Sequence, residues 1–305
     1  MLFLEIFKEK PYFCPRLNRK KGRGMSCNIV NAIVNLVNQT TLVVEAKESS
    51  GNRANDMGIA LEDYIKDLFA GTSNLETREK LEKWQEVFSY LGNNSNPPDI
   101  ILRNGDAIEV KKIQTNGSHI ALNSSYPKHT LKRTNPLINS ACRESEDWEE
   151  KDMIYTIGVV EKQKLRSLCM VYGTEYCASD EIYLRIRSRI KNAVVNAPGV
   201  ETEETRELGH INKVDPLGIT YLRVRGMWGI DNPVRVFNYV YTPRNDAEFN
   251  FMCIVNDTKW SSFDNREELV KLAETHDRLD ISDVKVKDPD NPAKLKSAKL
   301  ITYYI

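Results

Sequence analysis

Two short apolar segments joined by Asn104-Gly105 constrain the fold of this chain more than any other feature. Residues 99–103 and 107–113 have the length of strands, and an Asn-Gly pair between such segments is the strongest short-range signal for a β-hairpin. Side chains of a strand point alternately to opposite faces. Glu109 and Lys111, two residues apart, are therefore predicted to lie on one face of the second strand.

The remaining periodicity predicts a mixed α and β chain without regular βαβ alternation. Apolar residues at helical spacing predict helices over residues 27–38, 52–70, 75–88, 135–149, 179–197 and 266–276. Strands are predicted over residues 153–160, 168–172, 219–225, 234–241, 249–255 and 300–304. The expected fold class is α+β (mixed α/β), with a central mixed β-sheet flanked by helices and a β-rich C-terminal half.

Composition limits the class of protein. The 305 residues are 41% apolar and 28% charged, which excludes disordered and fibrous chains. Lys plus Arg and Asp plus Glu both number 43, so a basic cleft is possible but a uniformly basic coat is not. No apolar run approaches the ~20 residues of a membrane helix, and the opening Met1–Phe7 has charge after it rather than before it. We therefore expect a cytoplasmic protein.

The cysteines and histidines do not indicate a metal or nucleophile site. None of the six cysteines is at Cys-x-x-Cys spacing, and the four histidines are scattered along the chain. Reduced, buried thiols are expected. Residues 1–24 differ from the rest, with seven Lys/Arg against two Asp/Glu. They could form a basic arm for nucleic acid, or a disordered leader before a true start at Met25.

Asp99, Glu109 and Lys111 form the constellation that could carry chemistry. Pro98-Asp99 is followed after nine residues by Glu109-Val110-Lys111, so two adjacent strands deliver two carboxylates and an ammonium. Hydrolysis of a phosphodiester is helped by a hard cation, and Mg²⁺ prefers one or two carboxylates plus water and phosphate oxygens. Lys111 could hold or deprotonate the attacking water, or stabilise developing charge. The alternative is a surface hairpin with solvated charges.

The context favours the catalytic interpretation. Glu62 lies at the edge of the apolar stripe of the preceding helix and could be a third ligand, although a surface pair with Lys66 one turn away is the alternative. Residues 100–136 hold six Lys/Arg against two Asp/Glu, which suits a phosphate backbone.

The sequence also resembles a known family, the NgoPII-type type II restriction endonucleases of the PD-(D/E)xK nuclease superfamily. The resemblance covers residues 28–305. Its matching stretches are NRAN at 52–55, ALE at 60–62, FSYLGNNSNPPD at 88–99, DAIEVKK at 106–112, ALNSS at 121–125, PK at 127–128, WEEKDM at 148–153 and YLRVRGMWGI at 221–230.

The resemblance implies Mg²⁺-dependent cleavage of double-stranded DNA at a short palindrome, GGCC. By the match Asp99, Glu109 and Lys111 would be catalytic, with Asp99 and Glu109 holding the metal and Glu62 as a further member. Residues 25–160 would form a PD-(D/E)xK catalytic core, and residues 161–305 a sheet extension with DNA-recognition elements. Two-fold symmetry of a palindrome predicts a homodimer, and a companion cytosine methyltransferase would protect the host's own sites.

Candidate DNA contacts lie outside the catalytic set. Arginine is the commonest reader of guanine, and Arg223 and Arg225 share a face of one predicted strand. The other candidates are Asn123, Ser124, Ser125, Lys128, Lys112 and Arg53. The alternatives are a salt-bridged arginine pair, a polar turn at 123–128 and a helix cap at 52–55. Tyr126, Trp228 and Trp260 are expected to pack in the interior.

Two other functions fit the same residues. A different nuclease on this core, structure-specific or repair-related, would nick or trim DNA without producing defined fragments. A non-catalytic DNA-binding protein would retard DNA in a gel with salt-dependent affinity and leave it uncut.

Overall fold

The computed structural model describes residues 27–39, 41–45, 53–92 and 96–305, and for residues 53–55 it describes the backbone alone. The leader predicted at residues 1–24 lies outside this part of the chain. The described helices are α1 Ile29–Asn38, α2 Arg53–Ala70, α3 Thr77–Val87, α4 Ser140–Arg143, α5 Gly173–Tyr176, α6 Asp180–Val195, α7 Pro233–Val236, α8 Asp257–Ser262 and α9 Arg266–Thr275. None of the described helices is both long and apolar enough to span a bilayer.

A large mixed β-sheet is the centre of the fold, as predicted. The described strands are β1 Phe88–Tyr90, β2 Ile100–Leu102, β3 Ala107–Ile113, β4 Ile120–Asn123, β5 Thr130–Lys132, β6 Glu150–Glu161, β7 Lys164–Tyr172, β8 Glu201–Thr202, β9 Gly209–Asn212, β10 Leu222–Val224, β11 Trp228–Ile230, β12 Asn250–Asn256, β13 Leu279–Asp288 and β14 Asn291–Tyr304. The main sheet has the order β1-β2-β3-β6-β7-β12-β14-β13, with β5 added to β6. Its β3–β6 and β7–β12 pairs are parallel and the others antiparallel.

Both faces of this sheet are covered by apolar packing. Helices α1, α2 and α9 cover one face through side chains such as Ile33, Leu61 and Leu269. The other face packs against β4, β5 and the short α4, α5 and α7, with Tyr155 and Phe237 in its core. Burial on both faces explains why the strands read as apolar runs. Because β3 has a neighbour on each side, its residues are held in the interior of the sheet.

Residues 180–224 form a small lobe beside the sheet. Strands β8, β9 and β10 pair into a three-stranded sheet, and α6 contacts β9. Helix α6 is the predicted amphipathic helix, yet it has no buried residue. Its aliphatic side chains Leu184, Ile186 and Ile190 are 39–46% exposed.

Three sequence predictions were wrong in type or extent. Residues 135–149 contain only the one-turn α4, because the Asn135 side chain bonds the Leu137 amide in a turn and Asn139 starts a new cap. Residues 234–241 are not a strand, since Pro233 begins α7 under the Asn232 cap. The terminal strand is 14 residues long rather than five, in a hairpin with β13 that was not predicted.

Candidate active site

The hairpin of β2 and β3 positions the candidate catalytic residues. Ile100 pairs with Ile108 and Ile101 with Ala107, and Asn104 takes a positive φ of 55° in the turn. Asp99 immediately precedes β2, while Glu109 and Lys111 lie within β3. The alternation of a strand therefore places Glu109 and Lys111 on one face, as the sequence predicted.

The structure brings the three side chains together. Lys111 Nζ lies 2.6 Å from Glu109 Oε1 and 3.9 Å from Asp99 Oδ2. The Val110 amide also donates to Asp99 Oδ2 at 2.7 Å, which fixes the Asp99 carboxylate against β3. One ammonium thus lies between two carboxylates from two adjacent strands.

Burial makes this cluster electrostatically demanding. Burial raises the pKa of Asp99 well above its usual range, and the neighbouring Glu109 carboxylate raises it further against the opposing effect of Lys111. Burial alone would lower the pKa of Lys111, but Glu109 and Asp99 outweigh it and raise that pKa. Lys111 is therefore held as an ammonium rather than as a free amine.

Glu62 of α2 lies within electrostatic reach of the cluster. Burial raises the pKa of Glu62, while Lys66 and Lys111 oppose the increase. Glu62 in turn contributes to the raised pKa of Asp99. Lys66 forms its ion pair with Asp63 at 3.0 Å, not with Glu62, so the predicted surface pair is absent from the described ion pairs.

The donors present fit a hard cation such as Mg²⁺. Glu109 Oε2 is buried and has no hydrogen-bond partner in the described part of the chain, so this carboxylate oxygen is available to coordinate a cation. Two carboxylates are a sufficient protein contribution for Mg²⁺, which keeps several waters. Among the described residues no group of three or more His, Cys, Asp or Glu side chains could hold a metal.

The predicted DNA contacts separate into different environments. Asn123, the last residue of β4, and Ser124 in the turn after it are exposed, and Ser125 is half-buried. Lys112 is half-buried on β3, facing away from Lys111 by strand alternation. Arg53 begins α2, and its side chain lies outside the described set.

Lys128 differs most from its sequence prediction. Its side chain is buried, at 1% exposure, and its ammonium donates to Ser125 Oγ and the Tyr126 carbonyl, each at 2.8 Å. A buried lysine that is bonded to its own loop does not reach DNA, so the prediction that Lys128 contacts DNA directly is wrong. Nothing in the local sequence distinguishes it from an exposed turn lysine.

Arg223 and Arg225 lie at the C-terminal end of the small lobe, and both are paired with Glu207. Arg223 binds Glu207 through two nitrogens at 2.9 and 2.6 Å, and Arg225 Nε is 2.7 Å from the same carboxylate. Both arginines are about half exposed. The salt-bridged arrangement that the sequence left open is thus present, and their role in reading DNA stays a prediction.

Sequence reasoning missed a partly buried ion cluster where β3 begins. Lys259 of α8 donates to Asp106 and Asp152, each at 2.6 Å, and the Tyr172 hydroxyl donates to Asp106 at 2.8 Å. Asp106 directly follows the hairpin turn, but its lysine partner is 153 residues away.

The aromatic predictions are confirmed for Tyr126 and Trp260, which are buried.

The helix-flanked mixed sheet makes this chain an α+β protein, and a lysine between two carboxylates at its centre is consistent with a nuclease. The model of the NgoPII restriction endonuclease family matches residues 27–287. The chain is 53% identical over 279 residues to the type II restriction enzyme NgoPII of Neisseria gonorrhoeae, an alignment that covers 91% of this chain and all of that relative. No solved structure matches. The chain belongs to the NgoPII restriction endonuclease family and is a type II restriction endonuclease.

Proposed function

We propose that this endonuclease hydrolyses phosphodiester bonds of double-stranded DNA with Mg²⁺, at a short palindrome that family resemblance assigns as GGCC. The observation that carries the proposal is the convergence of Asp99, Glu109 and Lys111 on one face of the central hairpin. We assign this hairpin and its flanking helices, within residues 25–160, to a PD-(D/E)xK core, and residues 161–305 to sheet extension and recognition.

Each side chain has a role that follows from its environment. Asp99 and Glu109 would hold Mg²⁺ through their carboxylate oxygens, including the unpartnered Glu109 Oε2. When bound, the cation supplies Lewis acidity and lowers the pKa of its water. Because its pKa is raised, Lys111 acts as a cation that orients the attacking water or stabilises the negative charge that develops on the phosphoryl oxygens. Glu62 adds negative charge at the edge of the same site.

Family membership supports the proposed substrate and partners. A double-stranded palindrome is read most simply by a homodimer with one active site per strand. Arg223, Arg225, Lys112 and the 123–125 turn are proposed to contact DNA. The enzyme would act in the cytoplasm beside a cytosine methyltransferase of the same specificity.

Substitution of the cluster tests the proposal. Wild-type protein with Mg²⁺ should cut plasmid DNA into discrete fragments, and sequencing their ends gives the site. Asp99→Ala or Lys111→Ala should lower the cleavage rate at least ~100-fold, while Lys271→Ala, at an exposed lysine of α9, should not.

Circular dichroism controls for folding. Wild-type rates in either cluster variant would refute the assignment. Nicks without defined fragments would indicate the structure-specific or repair nuclease, and DNA retardation without cleavage in any divalent metal the non-catalytic binding protein.

A further inference from the structure

The Lys128 side chain is buried, and apolar packing alone does not account for a buried ammonium. Burying an ammonium is costly unless it is fully bonded, and burial lowers the pKa of Lys128 to about 8. The ammonium bonds Ser125 Oγ and the Tyr126 carbonyl, and it lies 3.9 Å from the centre of the Tyr126 ring. All three contacts are to the loop that precedes it.

The backbone of Lys128 is fixed from the other side by the main sheet. Its amide donates to the Tyr155 hydroxyl at 2.6 Å. Tyr155 is the cross-strand partner of Glu109 in the parallel β3–β6 pair. A Cβ on Gly173 would lie 2.4 Å from the carbonyl oxygens of Lys128 and His129, so this segment passes directly over that glycine. Lys128 is therefore held by the strand next to the catalytic one.

The loop that Lys128 holds is the turn at residues 123–125. Asn123 has a positive φ of 50°, and the Ser125 amide closes the turn onto the Leu122 carbonyl at 3.1 Å. Asn123 also pairs with Trp228 in the β4–β11 ladder. The polar side chains of Asn123 and Ser124 are exposed to solvent.

We propose that Lys128 is a positioning residue for cleavage: its buried ammonium locks the 123–125 turn to the sheet beside Glu109, so that the turn meets DNA in one fixed place. This rests on the proposed function, which assigns the turn to DNA contact. The Glu109 carboxylate is near enough to oppose the effect of burial on the pKa of Lys128. Lys128 acts through the turn and does not touch substrate.

The test compares Lys128→Met, Lys128→Arg and Ser125→Ala with Lys164→Met, a change at an exposed lysine of β7. We measure amide hydrogen exchange over residues 120–127, and kcat and KM on the duplex that wild type cuts. The affinity ratio of that duplex over a scrambled duplex is measured by anisotropy without metal. Lys128→Met should accelerate exchange in the turn and lower the affinity ratio about ten- to a hundredfold, with KM changed more than kcat. Lys128→Arg should recover part of the loss.

The outcomes separate cleanly. Unchanged turn exchange in folded Lys128→Met overturns the proposal whatever the enzyme cleaves. Faster exchange with an unchanged affinity ratio and KM reduces Lys128 to a structural residue and also overturns it. If Lys128→Met does not fold, the turn exchange of Ser125→Ala, which removes one acceptor of the ammonium, decides: unchanged exchange overturns the proposal and faster exchange supports it. A wild type that cuts no DNA with Mg²⁺ refutes the proposed function instead, and the exchange result still stands.

Discussion

Asp99 shows how a site residue can act against the stability of its own fold. An acid whose pKa is raised on folding binds its proton more tightly when folded, so stability falls as pH rises through the window from its unfolded pKa to its folded pKa. Above that window the buried carboxylate is a standing cost. We expect Asp99→Asn to raise Tm at pH 8 by roughly 2–4 °C while abolishing cleavage.

Thermal unfolding with and without Mg²⁺ checks this expectation. Mg²⁺ should raise the Tm of wild type, because an ion that binds only the folded state stabilises it. It should leave Asp99→Asn almost unchanged. Asp63→Asn, which removes a partly exposed partner of Lys66, is the control and should not raise Tm. A lower Tm for Asp99→Asn would contradict the electrostatic account.

Glu62 should tune the pH dependence of cleavage. Because Glu62 raises the pKa of Asp99, Glu62→Gln should lower that pKa and shift the acid limb of kcat/KM to lower pH. Glu109 and Lys111 remain in place in this variant, so the shift reports Glu62 alone. Asp63→Asn, on the next residue of α2, serves as the control. A limb that stays in place, or moves to higher pH, would remove Glu62 from the site.

Residue positions were predictable where they depend only on local geometry. Strand alternation placed Glu109 beside Lys111 because no distant residue is needed for that inference. The burial of Lys128 depends on Tyr155 and Gly173, which are 27 and 45 residues further along the chain. One sequence carries no signal for such packing, so an interior lysine and an exposed one look the same.

The β2–β3 hairpin, which carries the proposed catalytic residues, is anchored at its turn by a buried ion pair. Glu146 Oε2 accepts the Asn104 amide at 2.8 Å, and Lys151, which pairs with Glu146, donates to the Gly105 carbonyl at 2.8 Å. Glu146→Ala would leave Lys151 buried without its acid, which typically costs about 3–5 kcal/mol. Urea unfolding should show this loss. Glu149→Ala removes an exposed carboxylate 3.6 Å from Arg133 and should cost less than ~1 kcal/mol; equal losses would disprove the anchor.

Elements were predictable where a long periodic pattern coincided with strong boundaries. Helix α1 begins at the Asn28 cap, and β3 follows the Asn-Gly turn with the predicted bounds. The helix predicted over residues 135–149 is absent because the side chains of Asn135 and Asn139 accept hydrogen bonds from nearby backbone amides and redirect the backbone within an apolar pattern. The β13–β14 hairpin was missed because the apolar alternation of β13 changes phase between Ile281 and Val284, and because none of the first seven residues of β14 is buried.

At the scale of the molecule, one sheet joins the parts of the chain that we propose for catalysis and for recognition. The boundary expected at residue 160 falls at the end of β6, whose antiparallel partner β7 continues the sheet toward β12 and β14. Strands that are distant from β3 in sequence thus belong to the same sheet and extend it on the β6 side. Sequence order alone could not give this arrangement, because β12 inserts beside β7 after the whole lobe of residues 180–224.

The same scale decides how two strands of DNA are cut. The lobe and the loop that follows it carry strongly exposed apolar side chains: Leu217 is 82% exposed, Ile219 78% and Met227 77%. Exposed apolar surface of this kind is typical of a protein–protein interface. We expect sedimentation equilibrium to give about twice the 35.0 kDa chain mass. Both strands of a supercoiled plasmid should then be cut without accumulation of the nicked circle, because a dimer places one site on each strand. A 35.0 kDa species at every concentration, bound one to a duplex and releasing nicked circles first, would contradict the dimer.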